Sequence, residues 1–505
     1  MSNSIIPSVR KSLSVSLLAA AIALSLPGCS VGPTYERPDA SAPTAFKESE
    51  PSLESAQAKS WKVAQPSDHF ERGHWWLVFE DPQLNDLELK ALESNQNLVA
   101  AYARLKQARA LTAAARSELF PKITLNGEAS RERESPASKE VSSDSSIAPK
   151  TLLGLKSEIS YEPDLFGRVQ AGIDGSKART EASEALLRGV QLSLTSDVAA
   201  SYFKLRGLDA ELVVFQRAIE IRERAVGIAD ARHTNGDVSV LDVARARSEL
   251  ATTQSDALAL AKDRATEEHR LAILLGKVPA DFSLPSSPLV MTPVRIPTGM
   301  PSMLLERRPD IAAAERKMAA ANADIGVAKA AFFPSIKLGL TGGFEASHPN
   351  EIFNWSSRTF LLGPVGGTIM SLPIFDGGQR SAKLKHERWA YEEQVAAYRQ
   401  AVLQAFQEVE DVASDLRIVD QQLERMNIAV DASMKASEVA NLQYAEGEVP
   451  YLDALDAERV VLQSRRSKTQ LEATQAIATV KLIQALGGGW DATSLSAAEP
   501  AKSAH

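Results

Sequence analysis

Two hydrophobic periods alternate along the chain. From Asp86 to Phe120 the sequence is rich in alanine, with Leu87, Leu92, Leu98, Leu105 and Leu111 at helical spacing, and Pro121 stops the run. The period then drops to two. Ile123 and Leu125 alternate with Thr124, Asn126 and Glu128, as in a strand with one apolar and one polar face. A polar, serine-rich stretch from Ser135 to Pro149 reads as an exposed loop. Alternation returns with Leu153, Leu155, Ile159 and Tyr161 set against Gly154, Lys156, Glu158 and Ser160. Pro163 to Arg168 closes this second strand, and a helix is predicted from about Arg168 to His233. At ~1.5 Å per residue it would reach about 100 Å, far beyond a typical globular helix. Within it Leu205, Leu208, Leu212, Phe215, Ile219 and Val226 follow steps of three and four, with Arg222 filling one place, which is a coiled-coil seam. After a turn at Gly236-Asp237-Val238 a second helix returns through Leu241, Leu250 and Leu271 to Leu275-Gly276, making an antiparallel hairpin.

The whole pattern then repeats. A proline-rich linker leads to Arg308-Pro309-Asp310 and another alanine-rich helix that stops at Phe332-Phe333-Pro334, parallel to Leu119-Phe120-Pro121, with Arg116 and Lys329 in equivalent places. Ile336, Leu338, Leu340 and Phe344 alternate with Lys337, Gly339, Thr341 and Glu345 as a third strand. Ala346 to Arg358 is a loop, and Thr359 to Leu372 is a fourth strand whose alternation glycine and proline blur. Pro373 to Arg380 opens a second long helix to about Ala445. The turn at Gly447 follows, and the return helix ends at Leu486-Gly487. Gly236 to Gly447 and Gly276 to Gly487 are both 211 residues apart, so the chain is a duplicated helix–strand–strand–helix–hairpin unit. The expected divisions are a signal peptide over 1–28, an N-terminal arm over 29–82, repeats over 83–276 and 300–487 joined by a linker over 277–299, and a tail over 488–505.

The strand count bears directly on architecture. Four amphipathic strands cannot close a barrel in lipid, which takes about eight or more, so one copy is insufficient; two, three or four copies would supply 8, 12 or 16 strands. Each strand is about 10 to 13 residues, the length a tilted barrel strand needs to cross a bilayer. Phe120, Tyr161, Phe166, Phe333, Phe353, Trp355 and Phe360 lie near strand ends, where membrane barrels carry aromatic girdles. A soluble layer of strands with helices is the alternative.

The N-terminus supplies a compartment. Arg10-Lys11 precedes an apolar stretch from Leu13 to Leu26 that is too short to span a bilayer, as in an export signal. It ends in Leu26-Pro27-Gly28-Cys29, which resembles a bacterial lipobox, with Pro27 at a position where another residue is favoured. The expectation is cleavage before Cys29 and a covalent lipid on it. Ser30 after it, by resemblance to lipoproteins, suggests sorting to the outer membrane. Cys29 is the chain's only cysteine, so no disulfide within the chain is possible. Pro33, Pro38, Pro43, Pro51 and Pro66 describe an extended arm, closed by the aromatic anchor Trp75-Trp76-Leu77-Val78-Phe79. Charge narrows the partners: a net −8 argues against nucleic acid, which needs clustered Lys and Arg. Beyond the first thirty residues no apolar run approaches transmembrane-helix length. If the chain enters a membrane, it does so as strands.

These motifs together resemble the outer-membrane factor family of TolC-like exit ducts, and specifically its lipoprotein branch of multidrug efflux channels. The residues that carry the resemblance include Cys29-x-x-Gly32-Pro33-x-Tyr35-x-x-Pro38, Trp75-Trp76-x-x-Phe79-x-Asp81-Pro82-x-Leu84 and Arg307-Arg308-Pro309-Asp310. Pro373-Ile374-Phe375-Asp376-Gly377-Gly378 and Ala485-Leu486-Gly487-Gly488-Gly489-Trp490 extend it over nearly the whole chain. The resemblance implies a mainly α protein with transmembrane β, in which three copies complete a 12-stranded barrel continued by a long antiparallel α-helical barrel. It implies an outer-membrane location, partnership with a periplasmic adaptor and an inner-membrane pump, and export of drugs or other small toxic compounds.

By the same resemblance Asp453 and Asp456 match the family's aspartate ring, with Leu452 as an apolar constriction beside it. Tyr444 matches a tyrosine that helps hold the closed state. Gly236, Asp237 and Asp242, with the turn glycine Gly447, form the supporting set at the tips, and the first tip is expected to help dock the adaptor. Three copies of each aspartate would form negative rings that bind cations and slow anions. The family's basic residue two positions after the glycine is Val449 here, so the resemblance carries no closed-state ion pair to that position. A plainer role competes with the gate: acidic residues in the first turn after Pro450 favourably meet the helix dipole, worth about 0.3–1 kcal/mol.

Enzyme readings find little support. The seven histidines are scattered without zinc-site spacing, Gly276-Lys277 lacks the rest of a phosphate loop, and Gly487-Gly488-Gly489 ends a helix as a C-cap instead of opening one. No cofactor is expected apart from the lipid on Cys29, so energy for transport would come from a partner. A protein-secretion duct shares this architecture, and a periplasmic coiled-coil adaptor is the alternative of a different class.

Overall fold

The computed structural model describes residues 31–38, 46–48, 62–63, 74–133, 135, 148–289, 294–295, 307–361 and 368–488. The expected signal peptide, Cys29 and most of the C-terminal tail lie outside them. The chain forms two compact units. One takes 1–38, 106–182 and 315–397, the other 39–105, 183–314 and 398–505. Each unit therefore draws on both halves of the duplicated sequence.

The first unit is built on one sheet. Strand β1 (Lys122–Glu132) pairs antiparallel with β2 (Lys150–Tyr161), with Lys122 opposite Ser160 and Glu132 opposite Lys150. β2 pairs antiparallel with β3 (Ser335–Ala346), from Leu153 opposite Ala346 to Tyr161 opposite Leu338. This register puts Ile123, Leu125, Leu155, Ile159, Leu340 and Phe344 on one face and Thr124, Glu128, Lys156, Glu158 and Glu345 on the other. Ile123 and Leu125 are 68% and 70% exposed, an apolar face that water disfavours and lipid does not. The fourth strand differs from expectation. Two short strands, β4 (Arg358–Leu361) and β5 (Thr368–Ser371), pair with separate parts of β3's free edge, through Thr341–Leu361 and Ser335–Ser371. The outer edges of the sheet, β1 on one side and β4 with β5 on the other, have no strand partner among the described residues.

Helices flank the sheet in sequence. The long helix α3 (Arg168–Thr234) follows β2, and α5 (Pro309–Ala330) precedes β3. In this unit they are joined by Arg316–Glu181 at 3.0 Å and by an Arg179–Asp324 ion pair. The N-terminal arm lies over both. Asn322 donates to the Pro33 carbonyl at 3.1 Å, and the Tyr35 hydroxyl donates to Glu315 at 2.5 Å.

The second unit holds the aromatic anchor and the hairpins. Trp75 and Trp76 are buried with Leu194, Val198, Tyr202 and Phe203 of α3 and with Val480 and Ile483 of α7 (Tyr451–Ala485). Trp75 Nε1 donates to Thr195 at 3.0 Å, and the Tyr202 hydroxyl donates to Asp81 at 2.5 Å. The helix expected over Asp86–Phe120 is two helices, α1 (Pro82–Ser94) and α2 (Gln96–Ser117). Asp81 accepts from Gln83 and Leu84 N–H with Pro82 behind it, so the first starts earlier than expected. Asn95 is extended, at ψ 124°, and divides them: its side chain accepts from Leu98 N–H and donates to the Leu274 carbonyl of α4 (Val240–Leu274). A polar residue that bonds the backbone competes with helix, and here the tertiary bond decides the contest.

The linker is also tied down. Asp209, fully buried on α3, takes Arg206 at 2.9 Å and Arg264 at 2.6 Å and accepts from Ser286 Oγ and Ser287 N–H. Arg206 and Arg264 in turn donate to the carbonyls of Pro285 and Leu284. Farther along, Lys62–Val63 and Val294–Arg295 form a two-residue parallel pairing.

Candidate channel gate at the helix tips

Both hairpin tips end their first helix in the same way. At the close of α3, Gly236 N–H bonds the His233 carbonyl and Asp237 N–H bonds that of Arg232; at the close of α6 (Gln379–Glu446), Gly447 and Glu448 repeat this onto Tyr444 and Gln443. This is the Schellman arrangement, and it requires a left-handed residue. Gly236 and Gly447 adopt φ of 84° and 82°, where a side chain would be strained.

The tips differ where the return helix begins. Ser239 caps α4, and Asp242 completes a capping box, its carboxylate accepting from Ser239 N–H at 3.3 Å and Oγ at 3.0 Å. The duplicate positions are Pro450 and Asp453. Proline has no N–H, so Asp453 has no capping partner to accept from. Its carboxylate is exposed and makes no side-chain hydrogen bond or ion pair among the described residues. The same chemistry thus binds one aspartate and leaves its duplicate free.

Burial along α7 divides its first turns into two faces. Tyr451 and Leu455 pack with Ala229, Val243 and Ala246 and Ala454 is buried, whereas Leu452, Asp453 and Asp456 are exposed together. Residues at i, i+1 and i+4 share one stripe of a helix, so the three expected gate residues stand on a common face turned away from the chain's own core. Asp456 is paired, with Arg459 at 3.1 Å. Arg459 also binds Glu249 of α4, its Nε lying 3.2 Å from Oε2, and Glu249 meets the buried Arg222 at 3.7 Å. The hydrogen bond from Arg459 holds the Glu249 carboxyl below its usual range.

Tyr444 is not with the aspartates. Its ring lies 5.5 Å from that of Tyr451, and Arg232 sits over it at 4.9 Å while donating to the Ala445 carbonyl. Burial pushes the Tyr451 hydroxyl up to about 12. Beside these rings a cavity of about 540 Å³ opens between α3, α6 and α7, lined by Ile221, Ile228, Leu455, Glu458 and Arg465 among others. Burial raises Glu458 above the ordinary carboxylate range. Asp237 contributes its backbone N–H to the turn and Gly236 and Gly447 contribute conformation, which is a supporting role for the first tip. The bridging residues Arg459, Glu249, Arg222 and Arg232 were not singled out as tip residues by sequence reasoning. A helix repeat with Glu and Arg at these places is indistinguishable from a solvated face until the tertiary partner is known.

Among the described residues no helix is long and apolar enough to cross a membrane, and no group of three or more His, Cys, Asp or Glu is placed to hold a metal ion.

Comparison with known proteins gives consistent matches over this architecture. The family model described as outer membrane efflux protein matches residues 89–277 and again 300–488. The solvent efflux pump outer membrane protein SrpC of Pseudomonas putida is 33% identical over 470 residues, covering 92% of this chain and 97% of SrpC. The cation efflux system protein CusC of Escherichia coli is 30% identical over 477 residues, with 94% and 98% covered. Among solved structures, the outer-membrane channel OprN superposes with a TM-score of 0.80 at 31% identity, over 92% of this chain and all of that one.

Proposed function

The chain belongs to the outer membrane efflux protein family, and we propose that the second hairpin tip of each copy, through Leu452, Asp453 and Asp456, carries the narrowest ring of its channel. As a member of that family it is the trimeric outer-membrane exit channel of a tripartite efflux system. It works with a periplasmic adaptor and an inner-membrane pump, and it passes small toxic compounds outward through a barrel and a periplasmic helical tunnel. The strands agree with this: one copy offers an open sheet with an apolar face and, among the described residues, two edges without a strand partner, which further copies can close.

One observation carries the gate. Among the described residues no side chain holds Asp453, whereas its duplicate Asp242 is spent on a helix cap. In a threefold assembly the exposed stripe of Leu452, Asp453 and Asp456 would repeat three times, an apolar constriction beside negative rings that favour cations. Arg459 neutralises part of Asp456, so Asp453 supplies most of the field. The first tip supports the ring and offers a face to the adaptor. The arrangement moves solutes and makes no bonds, and transport energy enters through the pump. Relatives are named for cations and for solvents. The channel passes small solutes in general, with selection left to the pump. Cys29 carries the lipid that tethers the N-terminal arm to the membrane.

The test is electrical. The full-length chain in planar lipid bilayers should give small, cation-selective conductance steps. Channels that are wide open and unselective at rest would remove the tip from the gate, and a chain that forms no steps at all would remove the channel.

A further inference from the structure

We infer that Phe375 of each copy stacks on Phe120 of the next, an aromatic clasp that locks the three sheets into one barrel at their helix-bearing ends. The inference rests on the trimeric channel reading and adds a specific contact to it. Its basis is a stack already present inside one chain. Phe166, in the turn between β2 and α3, lies against Phe333 with ring centroids 4.9 Å apart and planes 25° apart, an offset-stacked geometry favourable for aromatic pairs. Phe333 occupies the turn between α5 and β3, so the stack reaches forward across the sheet from the close of β2 to the start of its neighbour β3.

The duplication places a second pair of phenylalanines in matching turns. Phe120 occupies the turn between α2 and β1 in the same way. Its N–H bonds the carbonyl three residues back, Ser117, just as Phe333 N–H bonds Ala330. Phe375 occupies the turn between β5 and α6 that corresponds to the turn of Phe166. Each of these strand-to-helix turns carries one phenylalanine and one aspartate that accepts from the following helix: Asp164 from Gln170 N–H and Asp376 from Arg380 N–H. Strands β4 and β5 form one outer edge of the sheet and β1 the opposite edge. The forward neighbour of Phe375 therefore cannot be the chain's own Phe120.

Exposure agrees. Phe120 is 69% and Phe375 90% exposed, whereas Phe333 is 37% exposed with its partner in place. Ile374 beside it is 91% exposed. Closing the ring brings the β4–β5 edge of one copy to β1 of the next and repeats at each junction between copies the stack that the chain makes at its internal junction. The same operation brings α6 of one copy toward α2 of the next, as α3 lies on α5 within the chain. The exposed Trp389 and Leu111 stand on those two helices.

The experiment is cross-linking of the full-length protein in its membrane. A Phe120→Cys/Phe375→Cys double variant treated with a short bismaleimide should run as covalent dimer and trimer on a denaturing gel, and each single variant as monomer. Phe166→Cys/Phe333→Cys should be bridged within the chain at monomer mobility, which confirms the reagent's reach. A double variant that stays monomeric, while an amine-reactive reagent still captures the trimer, would overturn the clasp and put both rings against lipid. Failure of the unmodified chain to give any trimer with the amine reagent would overturn the trimeric reading and the clasp with it. Thermal dissociation of the trimer supplies a second readout: Phe120→Ala and Phe375→Ala should each lower the midpoint, and the double variant should fall short of their sum. Strictly additive shifts count against a direct stack.

Discussion

Asp242 and Asp453 occupy matching positions and do different work because the residue three places before them differs. Ser239 offers an N–H to its aspartate and Pro450 cannot. Asp242→Ala should therefore weaken the first tip by about 0.5–2 kcal/mol, read as faster amide exchange over α4's first turns, without altering ion selectivity. Glu88 shows the same dependence on surroundings. It is fully buried, neither carboxylate oxygen has a hydrogen-bond partner among the described residues, and burial raises it well above its ordinary value of 4.5. The native chain then keeps a proton that the unfolded chain releases above about pH 4.5. Stability should fall as pH rises from there, until the native group itself ionises. Glu88→Met should flatten that dependence and raise the unfolding midpoint, by about 1–3 kcal/mol in stability at neutral pH. A lower midpoint would contradict the buried-acid account. Asp453 was legible in the sequence through the repeat and the family motif. Glu88 was not, because an acid at that helical position reads as a surface residue until the burial is seen.

At the scale of elements, periodicity revealed the strands and long helices, since each face of an element is written at its own spacing. The break at Asn95 and the divided fourth strand escaped it. Asn95 ends α1 through bonds to the distant Leu274 carbonyl and to Leu98, and no local pattern announces a tertiary acceptor. The linker was legible as proline-rich but not as clamped. Its attachment depends on Asp209, whose two arginines and two serine contacts converge from separate segments. Asp209→Ala leaves the buried Arg206 uncompensated and should cost about 3–5 kcal/mol, seen as a lowered unfolding midpoint and proteolysis within 277–289. The bridge from Asp456 through Arg459 to Glu249 ties the second tip to α4. Arg459→Ala should loosen that tip and raise the frequency of channel openings. Arg459 is about half exposed, so the change in stability should stay within about 1 kcal/mol.

For the whole molecule, the decisive feature is incompleteness. A sheet with an apolar face and, among the described residues, two edges without a strand partner leaves backbone groups and apolar surface that further copies and lipid can cover. Strand number left the copy count open among two, three and four; family membership gives three. The two halves of the duplication are unequal at their tips, since one carries the serine cap Ser239 and the other Pro450. The most direct measurement is the reversal potential and unitary conductance of single channels in a salt gradient, for the full-length protein, Asp453→Asn and Asp242→Asn. Asp453→Asn should move the reversal potential toward zero and raise anion passage, while Asp242→Asn should leave both as they were. Equal effects from the two variants, or none from Asp453→Asn, would contradict the gate at Asp453.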